Sequence, residues 1–159
     1  MKFKFKIQQY QTEAVENTVA VFTGQPSHAI EGYRLDRGLQ AQRQLEFDDE
    51  TGYRNHCVEL DGKALLKNIN TVQNLYDITP SSSLSKGIGA VNLDIEMETG
   101  TGKTYVYIKT MFELNKQYGW SKFIVVVPSI AIREGVAKRF RIAVDAHPDG
   151  PTFALGRRL

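Results

Sequence analysis

Between an apolar run and a helical stretch lies Met97-Glu98-Thr99-Gly100-Thr101-Gly102-Lys103-Thr104, whose residue types suit it to hold an anion. Gly100 and Gly102 can take positive φ, which lets backbone N–H groups turn inward around negative charge. Lys103 brings a point charge to the β and γ phosphates of a nucleoside triphosphate, and Thr104 offers a hydroxyl to Mg²⁺. The helix that follows aims its N-terminal dipole at the same charge. The strict phosphate-loop pattern asks for glycine where Met97 stands. The competing reading is a glycine-rich turn with a chance Gly-Lys-Thr, and the flanking elements argue against it.

Val91, Leu93, Ile95 and Met97 alternate with Asn92, Asp94 and Glu96, a period of two that predicts a strand feeding the loop. After Lys103, the apolar residues Tyr107, Ile108, Met111, Phe112, Leu114 and Tyr118 fall at helical spacing. Tyr118-Gly119-Trp120-Ser121 then connects to Phe123-Ile124-Val125-Val126-Val127, a β-branched run of the kind buried on both faces of a parallel sheet. Strand, helix and strand in this order make a βαβ unit, so the expected fold class is α/β. Pro128 and Ser129 close the second strand, and Ser129 can cap a helix from Ile130 to Phe140.

Upstream, Lys2 to Ile7 alternates charge and bulk as an edge strand does, a basic nucleic-acid stripe being the sharper alternative. Tyr10, Ala14, Val15, Val19 and Phe22 predict a helix from Gln9 to Phe22, which Gly24 can end. The irregular stretch from about Gln25 to Gly62 holds short apolar pieces between turn residues and reads as a hairpin and a loop. Asp49-Glu50 opens a turn there instead of ending a buried strand, so a solvated turn is preferred over a Mg²⁺-organising pair. Leu65, Leu66, Ile69, Val72 and Tyr76 predict a helix from Lys63 to Tyr76, followed by the linker Thr79-Pro80-Ser81-Ser82-Ser83.

The length of 159 residues suits one domain with a real core. A net charge of +2 is too small to announce nucleic-acid binding, so any such role rests on individual sites. Cys57 is alone, which excludes an internal disulfide, and no apolar run has the length of a membrane span. A soluble cytoplasmic protein is the expectation. His28, His56 and His147 are scattered, and His56 beside Cys57 lacks the second ligand pair of a zinc site.

The stretch from Leu93 to Val136, carrying the loop, Tyr118-Gly119-Trp120 and Val125-Val126-Val127-Pro128-Ser129-Ile130-Ala131-Ile132-Arg133-Glu134-Gly135-Val136, resembles the Res subunit of type III restriction-modification enzymes. Those subunits are superfamily 2 helicase-like motors, related to the DEAD/DEAH-box helicases, whose loop commonly lacks the first glycine. Tyr10-Gln11-Thr12-Glu13-Ala14-Val15 resembles the adenine-reading segment of that superfamily. The resemblance is strong from Leu93 onward and loose between Gln25 and Asn92.

It implies a RecA-like parallel sheet with flanking helices, of which residues 1–138 form the N-terminal part of the first motor domain, with an insertion at about 25–62. Glu98, Thr99, Gly100, Thr101, Gly102, Lys103 and Thr104 would bind ATP, Lys103 and Thr104 serving catalysis and Thr104 the metal. Gln11 would meet the adenine edge, because a primary amide offers one donor and one acceptor; a helix-start glutamine in solvent is the plainer reading. Pro128, Ser129 and Arg133 would touch a DNA backbone, against a plain helix cap for Ser129. The implied partners are double-stranded DNA and a Mod methyltransferase subunit, and the activity is ATP-driven translocation and cleavage. No Asp-Glu pair follows the loop and no second domain supplies an arginine finger, so this stretch alone is expected to bind without turnover. The alternatives are another superfamily 2 helicase-like ATPase or a truncated nucleotide-binding fragment. Residues 139–159 no longer resemble the family, as in a truncated or frame-shifted tail, a divergent loop or a basic solvated tail.

Overall fold

Apolar positions three and four residues apart mark several stretches of the chain, and helices dominate the described residues. A computed structural model describes residues 7–28, 55–85 and 91–146. These hold four helices: α1 (Gln9–Ala20), α2 (Gly62–Leu75), α3 (Lys103–Tyr118) and α4 (Ile130–Ala146). The expected edge strand at Lys2–Lys6, the apolar piece around Leu45–Phe47, Asp49-Glu50, His147 and the end of the tail lie outside the described residues.

In α1 the buried stripe is Gln11, Val15 and Val19, one turn apart, so an amide takes a place beside two valines. Tyr10, expected in that stripe, is 46% exposed. The Gln8 backbone N–H donates to Gln11 Oε1 at 3.1 Å, which ties the side chain to the start of its own helix. Gly24, at φ +94°, ends the segment as expected.

Asp61 caps α2, its Oδ1 accepting the Ala64 N–H at 2.7 Å; the Asp-Gly pair read as turn chemistry thus starts a helix. Leu65 is the best-buried side chain at 1% exposure. Asn68 Nδ2 donates to the carbonyls of Val21 and Thr23, at 3.0 and 2.9 Å, satisfying carbonyls that the end of α1 leaves open.

Val106, Thr110, Leu114 and Tyr118 recur every fourth residue on the buried side of α3. Of these, Val106, Leu114 and Tyr118 meet Val15, Val19, Val21, Phe22, Leu65 and Trp120 in one core. The Trp120 indole stands edge-on to Phe22 at 5.1 Å and 89°, a preferred aromatic geometry. Each such buried aliphatic side chain contributes about 1.5–3 kcal/mol. Burial also pushes the Tyr118 phenol above its usual range. The fourth helix joins through Phe140, whose ring lies 6.1 Å from that of Tyr107.

The expected parallel sheet is not formed: among the described residues there is no strand. Residues 91–97 and 123–127 carry no regular secondary structure. Their alternation survives in part as one-sided burial: Val91, Leu93, Met97 and Phe123 pack against the helical core, Ile95 breaks the pattern at 49% exposure, and Ile124 and Val126 are 92% and 88% exposed. A β-branched, alternating sequence favours a pleated half-buried surface, but a strand exists only once a neighbour exchanges backbone bonds with it. The α/β, RecA-like assignment is therefore corrected to a helical core with sheetless connecting segments. The short hairpin expected near Cys57–Leu60 is also not formed within residues 55–60. There, Gln25 accepts the Glu59 N–H at 2.8 Å and donates to the Cys57 carbonyl at 3.3 Å, so a side chain takes the place of a second strand.

Lys109 and Glu113 pair at 2.7 Å along α3. The hydrogen bond from Lys109 holds the Glu113 carboxyl below its ordinary value against a smaller desolvation effect. A lowered folded-state pKa means that the pair's contribution is full above the ordinary carboxylate range and is lost as pH falls through the lowered value. Glu113→Gln is accordingly expected to cost less than about 1 kcal/mol near neutrality and nothing in strong acid. Thermal melts of both chains should converge as pH is lowered, and a constant gap would count against the pair.

Candidate functional site

The turn that opens α3 is built from its own backbone. The Glu98 carbonyl accepts from the Thr101 N–H at 3.4 Å, from Thr101 Oγ1 at 2.6 Å and from Lys103 Nζ at 3.1 Å. Gly100 and Gly102 lie at φ +84° and +91°, the left-handed conformation their types allow. No atom lies within 4 Å of where a Gly100 Cβ would sit, so that side of the turn is open.

Gly102 is the N-cap residue of α3 and provides no side-chain cap, and the first turn holds no acidic residue. Helix N–H groups left without a side-chain acceptor, together with the dipole, favour an anion. Lys103 is exposed, and its ammonium bridges the carbonyls of Met97 at 2.7 Å and Glu98 at 3.1 Å. The cation thus rests at the loop's own start. Thr104, half-buried, follows in the first helical turn, and Thr99 is exposed on the turn. These residues fit a polyphosphate and its metal: donors and an ammonium cluster on a turn that side chains leave open.

Helix α1 holds the loop from the other side. Gln11, 3% exposed, donates from Nε2 to the Thr101 carbonyl at 2.8 Å, and the Tyr10 hydroxyl donates to the same oxygen at 3.0 Å. A Cβ on Gly102 would come within 2.5 Å of Gln11 Nε2, so the amide packs where a side chain would otherwise stand. Sequence reading placed Gln11 near this site and missed the Tyr10 phenol, because a hydroxyl aimed at a carbonyl 91 positions away leaves no periodic trace.

Pro128, Ser129 and Arg133 lie together at the start of α4, all exposed. Ser129 Oγ accepts the Ile132 N–H at 3.3 Å, a helix cap, and Arg133 pairs with its neighbour Glu134 at 3.0 Å. No hydrogen bond or ion pair among the described residues joins this group to the loop. A groove of about 390 Å³ runs between α1 and α3, lined in part by Val15, Glu16, Val19 and Lys109, and shares no residue with the loop. Sequence reading also missed Asn55. Its Oδ1 accepts the N–H groups of Ser121 and Lys122, both at 2.9 Å, and its Nδ2 donates to the Lys122 carbonyl at 2.7 Å, fixing the segment beyond α3.

A left-handed glycine turn thus presents lysine and threonine at a helix start without a side-chain cap. The model of the family described as "Type III restriction enzyme, res subunit" matches residues 4–152, and the chain belongs to that family. It is 31% identical over 126 residues to the EcoP15I Res subunit of Escherichia coli, covering 79% of this chain and 11% of that protein. It is 34% identical over 128 residues to the EcoPI Res subunit of Escherichia phage P1, with the same coverage of 79% and 11%. A shorter stretch of 44 residues is 61% identical to the StyLTI Res subunit of Salmonella typhimurium, covering 28% of this chain and 4% of that one. The chain thus spans about a tenth of the length of the first two curated relatives, 11% of each. Among the described residues no helix is long and apolar enough to cross a membrane.

Proposed function

We propose that this chain carries the ATP-binding part of the motor of a type III restriction enzyme Res subunit. One observation carries the reading: Gly100 and Gly102 take left-handed conformations and deliver Lys103 and Thr104 to an uncapped helix start. Lys103 exchanges its two carbonyl partners for β- and γ-phosphate oxygens, a swap that its exposure allows and that its charge favours. The backbone N–H groups of Gly100, Gly102, Lys103 and Thr104 take the remaining phosphate charge, and the Thr104 hydroxyl serves Mg²⁺. Bound Mg²⁺ would neutralise developing charge at the phosphates. Family membership supports the wider role: in the complete subunit, ATP hydrolysis is coupled to movement along double-stranded DNA, and cleavage follows in partnership with a Mod subunit. Pro128, Ser129 and Arg133 are proposed to meet the DNA backbone, through a helix N-terminus and one guanidinium.

The test is a titration of the full chain with Mg²⁺ and ATP, followed by hydrolysis assays with and without duplex DNA. Lys103→Ala is expected to weaken ATP binding about tenfold, the worth of a charge-assisted bond. Turnover lost in the variant supports an ATPase. Binding without turnover supports a nucleotide-binding part that needs the rest of the motor. An unsubstituted chain that binds no nucleotide would refute the proposal.

A further inference from the structure

Between Gly62 and Leu75, helix α2 carries two lysines and no carboxylate. Its inner side holds Leu65 and Ile69, which join the core, and Asn68, which binds the carbonyls of Val21 and Thr23. On the opposite side Lys63, Lys67, Asn70, Thr71 and Asn74 follow at steps of three and four, one stripe along the helix. With Leu66 they line an open groove of about 430 Å³. Both lysines are exposed, and neither has an ion-pair partner among the described residues. The carboxylates nearest in sequence, Asp61 and Asp77, flank the helix, and Asp61 is committed to the Ala64 N–H.

The stability of α2 does not account for this placement. Lys63 stands in the first turn, at the positive end of the helix dipole, where a cation is disfavoured. Lys67 lies four residues on, a spacing at which like charges repel. Asn70 adds a separate cost: its Oδ1 is buried without a hydrogen-bond partner, a loss of about 1–3 kcal/mol. With the oxygen turned inward, the planar amide directs Nδ2 away from that buried position, and Asn70 lines the groove. The Thr71 hydroxyl is spent on the Lys67 carbonyl at 2.9 Å, so the free donors of the stripe are two ammoniums and two amides. Donors without a carboxylate suit a polyanion. From Lys63 to Asn74 the stripe runs about 16 Å, the length of several phosphates set about 3.4 Å apart along the axis of one duplex strand. We infer that the outer stripe of α2 is a contact for the backbone of duplex DNA, additional to the start of α4. The inference rests on the DNA-partner reading above and gives that partner a second surface.

The experiment measures binding of the full chain to two duplexes of unrelated sequence over a range of salt, and to poly-glutamate. The variants are Lys67→Gln, the double substitution Lys63→Gln with Lys67→Gln, and Lys116→Gln, an exposed lysine on α3 that matches the single change in charge. The double variant is expected to weaken both duplexes by a common factor of about ten and to lower the slope of log affinity against log salt by about two, one for each phosphate contact. Lys67→Gln should remove about half of that slope, and Lys116→Gln should leave it unchanged. Melting points of the α2 variants should equal or exceed that of the unsubstituted chain, because each change relieves a repulsion, so lost affinity is not lost folding. A double variant whose slope matches that of Lys116→Gln would overturn the inference. A loss for poly-glutamate with duplex affinity kept would overturn it in favour of an acidic protein segment. Arg133→Ala reports on the start of α4 alone: if it weakens duplex binding while the α2 variants do not, the DNA-partner reading stands and this inference falls. An unsubstituted chain that binds neither duplex overturns both.

Discussion

Gly119→Ala is expected to lower the thermal midpoint by about 10 °C, a loss of about 3 kcal/mol in a domain of this size. Gly119 ends α3 at φ +75°, where a side chain costs about 1–2 kcal/mol. The added Cβ would also run into the carbonyl oxygen of His28, a backbone atom that cannot swing aside. The contact is reinforced on both strands of chain: the His28 N–H donates to the Tyr118 carbonyl at 3.4 Å, and the Gly119 N–H donates to Asn115 at 2.8 Å. Relief would require residues 25–28 to leave α3, with Phe22 and Trp120 close behind. Gly135→Ala makes a suitable comparison, since that glycine sits inside α4 with no atom near its Cβ position and alanine there should stabilise by about 0.8 kcal/mol. Melts followed by circular dichroism decide the matter, and equal midpoints for Gly119→Ala and the unsubstituted chain would show that this junction yields.

Gly102→Ala is expected to weaken ATP binding about a hundredfold, more than removal of the Lys103 ammonium. Two penalties fall on one atom: a left-handed φ of +91° and a Cβ that would stand 2.5 Å from Gln11 Nε2. Together they amount to about 2–3 kcal/mol, which the loop escapes only by abandoning the conformation that offers its donors. Calorimetric titration gives the affinity, and melts should show a smaller loss than for Gly119→Ala because the loop surface is open. Gly100→Ala, with the same hand of φ but open space, should lie between Gly102→Ala and the unsubstituted chain. Equal affinities for both alanine variants would remove the special place given to the Gln11 contact.

The helices and the loop were legible in the sequence because their signals are local. Gly-Thr-Gly-Lys-Thr specifies its own turn, Gly24 ends its segment, and Ser129 caps α4, each through chemistry within a few residues. The stripe on α1 held at Val15, Val19 and Phe22 and failed at its first member, because hydropathy ranks a tyrosine above a glutamine, whereas the structure buries Gln11 for its hydrogen bonds and leaves Tyr10 exposed. On α3, Val106 and Thr110 join the core beside the expected Leu114 and Tyr118. The sheet was the principal miss. Alternation in 91–97 and 123–127 records, Ile95 apart, which side chains rest on the helices, and nothing in a single segment's pattern records whether another segment lies alongside to bond with it. Tyr10, Asn55 and Gln25 were silent for a related reason: each acts on a backbone group remote in sequence, and polar residues at such positions look like ordinary surface.

The exposure of Ile124 and Val126 has a practical consequence for every titration proposed for this chain. β-Branched side chains left in solvent on a segment that is part of no sheet invite the same segment of another molecule to dock beside it. Protein concentration is therefore an unseen reagent in these measurements, and binding curves gathered at micromolar and at far lower chain levels should be compared before any affinity is assigned to a single molecule.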